Sequence, residues 1–151
     1  MRSLENNLSG LEEVFINSDN PQQRQHIIKQ QLKIPTSNRL LVIAQAFREG
    51  LTIEEVNQVS SYDPWFLEQL FNLVQTEKQI SRNGIPYDYD YLFSLKKQGF
   101  SDKRIAKLCN ACETEIRELR YQLNIHPVYK RVDSCSAEFA TTTSYFYSTY
   151  E

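Results

Sequence analysis

Apolar residues recur along most of the chain with the period of an α-helix. The clearest case has the spacing i, i+3, i+4 and i+7 of a single helix face, in Leu40, Ile43, Ala44 and Phe47. Gly50 follows, at the place where a helix commonly ends in a residue with left-handed backbone. The pattern therefore predicts a helix from about residue 38 to residue 49.

Capping residues mark the starts of two shorter helices. Pro21 suits a first helical position, where its missing N–H is not needed, and a helix is expected to follow as far as residue 33. Thr52 and Glu55 have the spacing of a capping box, in which each side chain accepts a hydrogen bond from a backbone N–H of the other residue. A short helix with an inward-facing Val56 is expected there.

A longer helix is predicted to begin at Asp63-Pro64 and to run to about residue 80. Its apolar stripe consists of Leu67, Leu70, Phe71 and Val74. Trp65 could anchor an interface, but its place beside apolar neighbours at helical spacing favours the core, and the same holds for Phe71. Asp88 or Asp90 then caps a further helix that ends at Gly99.

The chain contains an internal repeat with a shift of 49 residues, given by 99 minus 50 for Gly99 and Gly50. The same shift relates Thr52 to Ser101 and Val56 to Ile105. Each repeat predicts a helix, a glycine turn, a short helix and a longer helix. The predicted fold class is all-α, an irregular helical bundle of two such units, which we expect to share one core.

The last 27 residues lose this period. Residues 125–151 contain several aromatic residues, which disordered segments usually lack, so an extended C-terminal tail lying against a surface is predicted. We expect order up to about Ala137. From Thr141 to Glu151 the tail is expected to be mobile unless a partner chain covers it.

Composition is that of a soluble protein of about one domain, with a formal net charge of -2 that does not favour nucleic acid or a membrane surface. The sequence has no apolar run long enough to span a bilayer and no signal-peptide core at its start. Three cysteines, an odd number, suit a reducing compartment. A cytoplasmic protein is expected.

Little in the sequence predicts catalytic chemistry. The four glycines are widely separated, so no phosphate-binding loop can form. Cys109 and Cys112, with Cys135 and His126, could supply the four ligands of a zinc site, but packing and capping positions in the repeat explain the first two cysteines better. We predict no catalytic, cofactor-binding or metal-binding residue in this chain.

The remaining polar candidates have structural explanations. His26 and His126 lack a partner at a spacing that indicates a catalytic triad. Asp88 and Asp90 do not continue into a calcium-binding loop, because Leu92 stands where a ligand would be required, and helix capping accounts for them.

Residues 90–124 also have the layout of a helix-turn-helix, and a nucleic-acid-binding module is the alternative function. Its second helix would begin with acidic residues, where phosphates and base edges require Arg or Lys. Glu113, Glu115 and Glu118 therefore weigh against this alternative.

Several stretches resemble the large subunit of carbamoyl phosphate synthetase. They are IAQAFREG at 43–50, DPWFL at 63–67, GFSDKRIAKL at 99–108, LRYQLNIHPVYKRVDSCSAEFA at 119–140 and YSTYE at 147–151. The resemblance covers nearly the whole chain. It is weakest at 8–32 and strongest after Gly99.

The resemblance implies an oligomerisation domain that connects two ATP-grasp halves. Residues 1–20 then correspond to the end of the first half and a connector, 21–124 to the helical domain, and 125–151 to a linker toward the second half. The domain itself is expected to be non-catalytic and to associate with itself or with other domains of the large subunit.

The family's parent enzyme is an ATP-dependent ligase that makes carbamoyl phosphate for arginine and pyrimidine biosynthesis. The resemblance implies that it uses ATP with Mg or Mn, bicarbonate, and ammonia that a glutaminase small subunit releases from glutamine. Those sites would lie outside this chain.

Overall fold

In the computed structural model, which describes residues 8–133, 139 and 145–151, helices dominate and the two strands lie near the C-terminus. The elements are α1 Pro21–Leu32, α2 Arg39–Arg48, α3 Ile53–Ser60, α4 Pro64–Asn83, α5 Tyr89–Lys97, α6 Asp102–Cys109, α7 Glu113–Gln122, β1 Val128–Arg131 and β2 Phe146–Thr149. The predicted all-α class is confirmed. The predicted remnant helix at residues 1–7 lies outside the described residues.

Three of the helices begin with side-chain caps, at Asn20, Thr52 and Asp88, and the sequence predicts the last two of these. Asn20 Oδ1 accepts a hydrogen bond from Gln22 N at 2.9 Å at the start of α1. At α3 the capping box is complete, with Glu55 N donating to Thr52 Oγ1 at 3.2 Å and Thr52 N donating to Glu55 Oε2 at 3.0 Å. Asp88 caps α5 by accepting from Tyr91 N at 2.8 Å.

The chain forms two compact units, Met1–Arg82 and Asn83–Glu151, and the 49-residue repeat relates them. Gly50 has φ +88° and Gly99 has φ +90°, which Cβ-bearing residues rarely adopt. Left-handed residues also end α3 and α6, at Ser61 with φ 56° and at Asn110 with φ 54°, and 110 minus 61 again gives 49. The repeat is thus confirmed in the backbone.

The core of the first unit comes from α1 to α4, from Ile16 before α1, and from Leu51 between α2 and α3. Its buried members are Ile16, Ile28, Leu32, Val42, Ile43, Ala44, Ala46, Phe47, Leu51, Val56, Leu67 and Val74. Leu70 and Phe71 are partly buried against this cluster. In the second unit the buried apolar residues include Leu92, Leu95, Phe100, Ile105, Ile116 and Ile125. A core shared between the units stays a prediction.

The prediction that Trp65 belongs to the core is wrong. Trp65 is 60% exposed and Phe66 is 58% exposed, whereas Leu67 is fully buried. A helix advances about 100° per residue, so Trp65 lies about 200° from Leu67 around the axis of α4. The stripe that faces the core therefore turns Trp65 toward solvent.

The two described strands of the C-terminal segment, β1 and β2, are extended, as predicted, and they also pair with each other. β1 and β2 form an antiparallel two-stranded sheet that begins with Val128 opposite Thr149 and ends with Arg131 opposite Phe146. The sequence predicts that residues 141–151 are mobile unless a partner chain covers them. Instead β2 has its hydrogen-bonding partner within the same chain.

Candidate functional site

Two of the residues considered as zinc ligands, Cys109 and Cys112, occupy structural positions. Cys109 Sγ lies 3.1 Å from the Gly84 carbonyl oxygen, and burial raises the pKa of its thiol. Cys112 is the N-cap residue of α7. Cys135 lies outside the described residues. Among the residues that the structure describes, no group of three or more His, Cys, Asp or Glu side chains could hold a metal ion.

The two histidines lie on the surface of their units. His26 is exposed on α1, and His126 is exposed with its ring centroid 5.3 Å from that of Tyr121. Asp90 lies in the first turn of α5, where a carboxylate interacts favourably with the helix dipole. Asp88 and Asp90 are thus accounted for as a cap and a first-turn charge.

The first feature that the structure brings out is an exposed aromatic pair at the start of α4. The rings of Trp65 and Phe66 contact each other edge to face, with centroids 5.0 Å apart and an interplanar angle of 83°. Asp63 fixes the helix start beneath them by accepting a hydrogen bond from Trp65 N at 2.8 Å. Such a pair offers a large apolar area held by a capped helix.

The second feature is a buried cluster of charges in the second unit, which is not among the sites predicted from the sequence. Lys96 Nζ lies 2.8 Å from Asp102 Oδ1, and Arg120 Nε lies 3.1 Å from Asp102 Oδ2. The three side chains are only 6%, 12% and 9% exposed, in the order Lys96, Asp102, Arg120. We call these three residues the charged cluster.

The charged cluster also satisfies two backbone carbonyls. Lys96 Nζ donates to the Phe100 carbonyl oxygen at 2.7 Å, and Arg120 Nη1 donates to the Ile125 carbonyl oxygen at 2.9 Å. Phe100 and Ile125 follow the C-terminal ends of α5 and α7, where carbonyl groups lack partners within a helix. The two cations therefore each contact the same carboxylate and also a backbone carbonyl oxygen that follows a helix.

Electrostatics within the charged cluster follows from its burial and its pairing. Burial would raise the pKa of Asp102, but the neighbouring Lys96 and Arg120 hold that pKa below its usual value. Burial lowers the pKa of Lys96, against the stabilising effect of Asp102 on its charged form. Asp102 also stands in the first turn of α6, where the helix dipole favours an anion.

The signal for this cluster in the sequence is the repeat itself. Subtracting 49 from 96, 102 and 120 gives Phe47, Ile53 and Phe71, three apolar residues of the first unit. A charge at a position where the other repeat has a core residue is a sign of a buried polar group. Comparing the two repeats in this way could have found the charged cluster.

The helix-turn-helix alternative is not supported. Arg104 on α6 is 1% exposed and Arg120 on α7 is 7% exposed, so neither guanidinium is free to contact DNA phosphates. Glu115 and Glu118 are exposed on α7, the helix that would have to enter the groove. Among the described residues, no helix is long and apolar enough to span a membrane.

Comparison with known proteins identifies the family of this chain. Residues 1–124 match the family model described as the carbamoyl-phosphate synthetase large chain, oligomerisation domain. The carbamoyl phosphate synthase large chain of Neisseria meningitidis serogroup A is 54% identical over 126 residues, covering 82% of this chain and 12% of the relative.

Two further relatives cover the whole of this chain. The carbamoyl phosphate synthase large chain of Buchnera aphidicola is 47% identical over 154 residues, and that of Brucella melitensis is 44% identical over 151 residues. The chain spans only 14% and 13% of their lengths. It therefore belongs to the family of oligomerisation domains of the carbamoyl-phosphate synthetase large chain.

Proposed function

We propose that this domain joins copies of a carbamoyl phosphate synthase large chain through direct self-association. The observation that carries the proposal is the match of residues 1–124 to a family model described as an oligomerisation domain. The structure supplies a surface suited to that role, the exposed aromatic pair Trp65 and Phe66 on α4. Aromatic residues are enriched at the centres of protein interfaces, which agrees with such a role.

The aromatic pair is large enough to matter energetically. Each large aromatic side chain can bury about 150–250 Å², so covering the exposed part of both rings removes roughly 200 Å² of apolar surface. At about 25 cal/mol per Å² this contributes about 5 kcal/mol per copy before the costs of association. Trp65 and Phe66 are therefore the residues whose removal should weaken an interface at α4 most.

The test is the mass of the chain in solution. Size-exclusion chromatography with light scattering, run over a hundredfold range of concentration, is expected to show a mass above that of one chain which falls on dilution. The double variant Trp65→Ser/Phe66→Ser should be monomeric at every concentration. Circular dichroism should show its helices intact, because both side chains are exposed.

Tyr87→Ser is the matched control. Tyr87 is 67% exposed and lies outside the helices, so its removal takes away a similar aromatic area and should leave the mass unchanged. A wild-type chain that is monomeric throughout would contradict self-association. An oligomer that persists in the double variant would contradict only the assignment to α4.

We further propose that the domain acts as part of a glutamine-dependent enzyme that makes carbamoyl phosphate from bicarbonate, ATP and ammonia in the cytoplasm. The names of the relatives, each a carbamoyl phosphate synthase large chain, support the product of this enzyme. Because the chain spans 12–14% of their lengths, the ATP sites and the contact with a glutaminase subunit would belong to other parts of such a protein. The domain's own contribution is assembly and spacing.

The domain is proposed to perform no chemistry itself. Its four glycines are separate turn residues and cannot form a loop that surrounds phosphates. Isothermal titration with ATP and Mg²⁺ is expected to show no binding at micromolar concentrations. A saturable heat signal would contradict this part of the proposal and leave self-association untouched.

A further inference from the structure

The charged cluster contacts the C-terminal segment as well as the helices. Lys96 Nζ lies 5.2 Å from the ring centroid of Tyr150, within the range of a cation–π interaction. Tyr150 directly follows β2 and is partly buried, whereas Tyr145, Phe146 and Tyr147 before it are exposed. One aromatic side chain of this segment is therefore seated on the charged cluster.

The chain that enters β1 meets the same cluster, at the end of the strand pair where Val128 lies opposite Thr149. Ile125, whose carbonyl oxygen accepts from Arg120 at 2.9 Å, lies just before β1, which begins at Val128. Arg120 and Lys96 are joined by Asp102. Thus the chain entering β1 and the chain leaving β2 are held by side chains of one ionic group.

The strand pair needs such an attachment. Two antiparallel strands alone are marginally stable in water, because they bury little apolar surface. All four residues of β1 and the first three of β2 are exposed. The contacts of Ile125 and Tyr150, which flank the same end of the pair, are therefore the main candidates for what holds it on the helices.

The first unit shows that the helices themselves do not require these charges. It follows the same helix, glycine turn, helix and helix path with Phe47, Ile53 and Phe71 at the equivalent positions. Burying two cations and a carboxylate seldom stabilises a fold more than apolar residues would, because desolvation offsets the attraction. The charges in the second unit thus call for a purpose that apolar side chains could not serve.

We propose that the charged cluster is a docking site for the C-terminal strand pair, with Tyr150 as its aromatic ligand and the Ile125 carbonyl as its second attachment point. The cation of Lys96 binds the face of the Tyr150 ring, and Arg120 holds the backbone that leads into β1. Asp102 keeps both cations in place. The cluster thereby fixes the position of residues 145–151 on the second unit, a role separate from self-association.

Hydrogen exchange of backbone amides in the full chain tests the docking. Tyr150→Leu keeps an apolar side chain but removes the aromatic face, and is expected to speed exchange in β1, in β2 and at Val132, whose N–H donates to the Tyr145 carbonyl, by at least tenfold. Amides of α5 to α7 should change less than twofold. Tyr150→Phe should keep most of the protection, because the ring face is retained.

Tyr147→Leu is the matched control, since Tyr147 lies in β2, is 50% exposed, and should affect exchange less than twofold on removal. For the charged cluster, the exchange rates of β1 and β2 in Lys96→Met should match those of Tyr150→Leu. In Lys96→Arg they should match those of the wild type. The double variant Lys96→Met/Tyr150→Leu should lose no more protection in β1 and β2 than Lys96→Met alone, because both substitutions remove the contact between Lys96 and Tyr150.

The outcomes separate docking from general stability. If Lys96→Met unfolds the second unit, α5 to α7 will exchange faster as well, and the Tyr150 variants then decide the matter alone. Unchanged exchange in Tyr150→Leu would overturn the proposal. So would an equal effect of Tyr147→Leu, which would mean that any aromatic residue of the strand pair serves.

Discussion

In the first unit Phe47 and Phe71 pack edge to face, with ring centroids 5.4 Å apart. The equivalent positions of the second unit, 49 residues further along the chain, are occupied by Lys96 and Arg120. Ile53, partly buried against the first core, is likewise replaced by Asp102. Yet the helices, the glycine turns and the left-handed residues recur at the same spacing. The backbone path thus tolerates an aromatic interior and an ionic one.

This difference shows that the turns and helix caps determine the backbone path of each unit. The buried side chains along that path must each find suitable packing or hydrogen-bonding partners. Aromatic rings require only close packing. Charges require a counter-charge and a partner for every remaining donor, and the second unit supplies Asp102 and the carbonyl groups of Phe100 and Ile125. Replacing a single residue of one unit by the equivalent residue of the other should therefore lower the free energy of unfolding, although the two units share one backbone path.

The largest effect is expected when one charge is moved alone. Phe47→Lys places a cation at a position that is 1% exposed, without the carboxylate that accompanies Lys96 in the second unit. We expect a loss of about 4 kcal/mol or more in the free energy of unfolding, measured by urea denaturation. Phe47→Leu, which keeps an apolar side chain, should lose about 1–2 kcal/mol. Equal losses of stability in Phe47→Lys and Phe47→Leu would show that the first unit tolerates a buried charge without a counter-charge.

Removing the counter-charge from the second unit should cost slightly less. Asp102→Asn preserves shape but leaves Lys96 and Arg120 buried without a carboxylate, and we expect a loss of about 3 kcal/mol. Glu113→Gln is the control, because Glu113 and Arg117 form an exposed pair 2.7 Å apart on α7. That change should cost less than about 0.5 kcal/mol. Similar costs would mean that Asp102 is effectively solvated.

The stability difference between the wild type and Asp102→Asn should depend on pH. Since the pKa of Asp102 is lower in the folded chain than its ordinary value of 3.8, its stabilising effect is complete above that pH and is lost as the pH falls through the lower folded value. Urea midpoints of the wild type and of Asp102→Asn should therefore converge below about pH 4. Parallel pH profiles would contradict the assignment of this linkage to Asp102.

Where the units agree, matched changes should have matched effects. Gly50→Ala and Gly99→Ala each place a Cβ on a residue with φ near +90°, and a Cβ at either position would meet no atom within 4 Å. Backbone strain alone should cost about 1–2 kcal/mol in each variant. Thermal unfolding followed by circular dichroism measures both. A difference above about 1 kcal/mol would show that the two turns are not equivalent.

The smallest effect concerns a polar group that the first unit avoids. Tyr91 corresponds to Val42, and its buried hydroxyl has no hydrogen-bond partner among the residues that the structure describes. Tyr91→Phe removes that group, and we expect a gain of about 1 kcal/mol in urea denaturation. Tyr89→Phe, at an exposed position, should change nothing measurable. A loss of stability in Tyr91→Phe would indicate an ordered water on the hydroxyl.

The sequence by itself determined the local structure and the family. The helix starts at Pro21, Ile53, Pro64 and Tyr89, the turns at Gly50 and Gly99, and the repeat between the units all follow from residues close to one another in the chain. Caps and left-handed glycines act through hydrogen bonds and sterics within one turn, so they can be recognised without knowing the fold. The motifs that resemble the synthetase family agree with the family match.

Only the tertiary structure decided which residues are exposed, buried or paired at a distance. Trp65 has the spacing of a core residue, yet the side of α4 that faces the first core turns it to solvent. In the sequence, Lys96, Asp102 and Arg120 each have the pattern of solvent-exposed charges on a helix, and only the packing of α5, α6 and α7 brings them together. The pairing of β1 with β2 joins residues far apart in the chain, and no local sequence pattern predicts it. Burial and long-range pairing depend on how elements pack, and packing is a property of the whole chain.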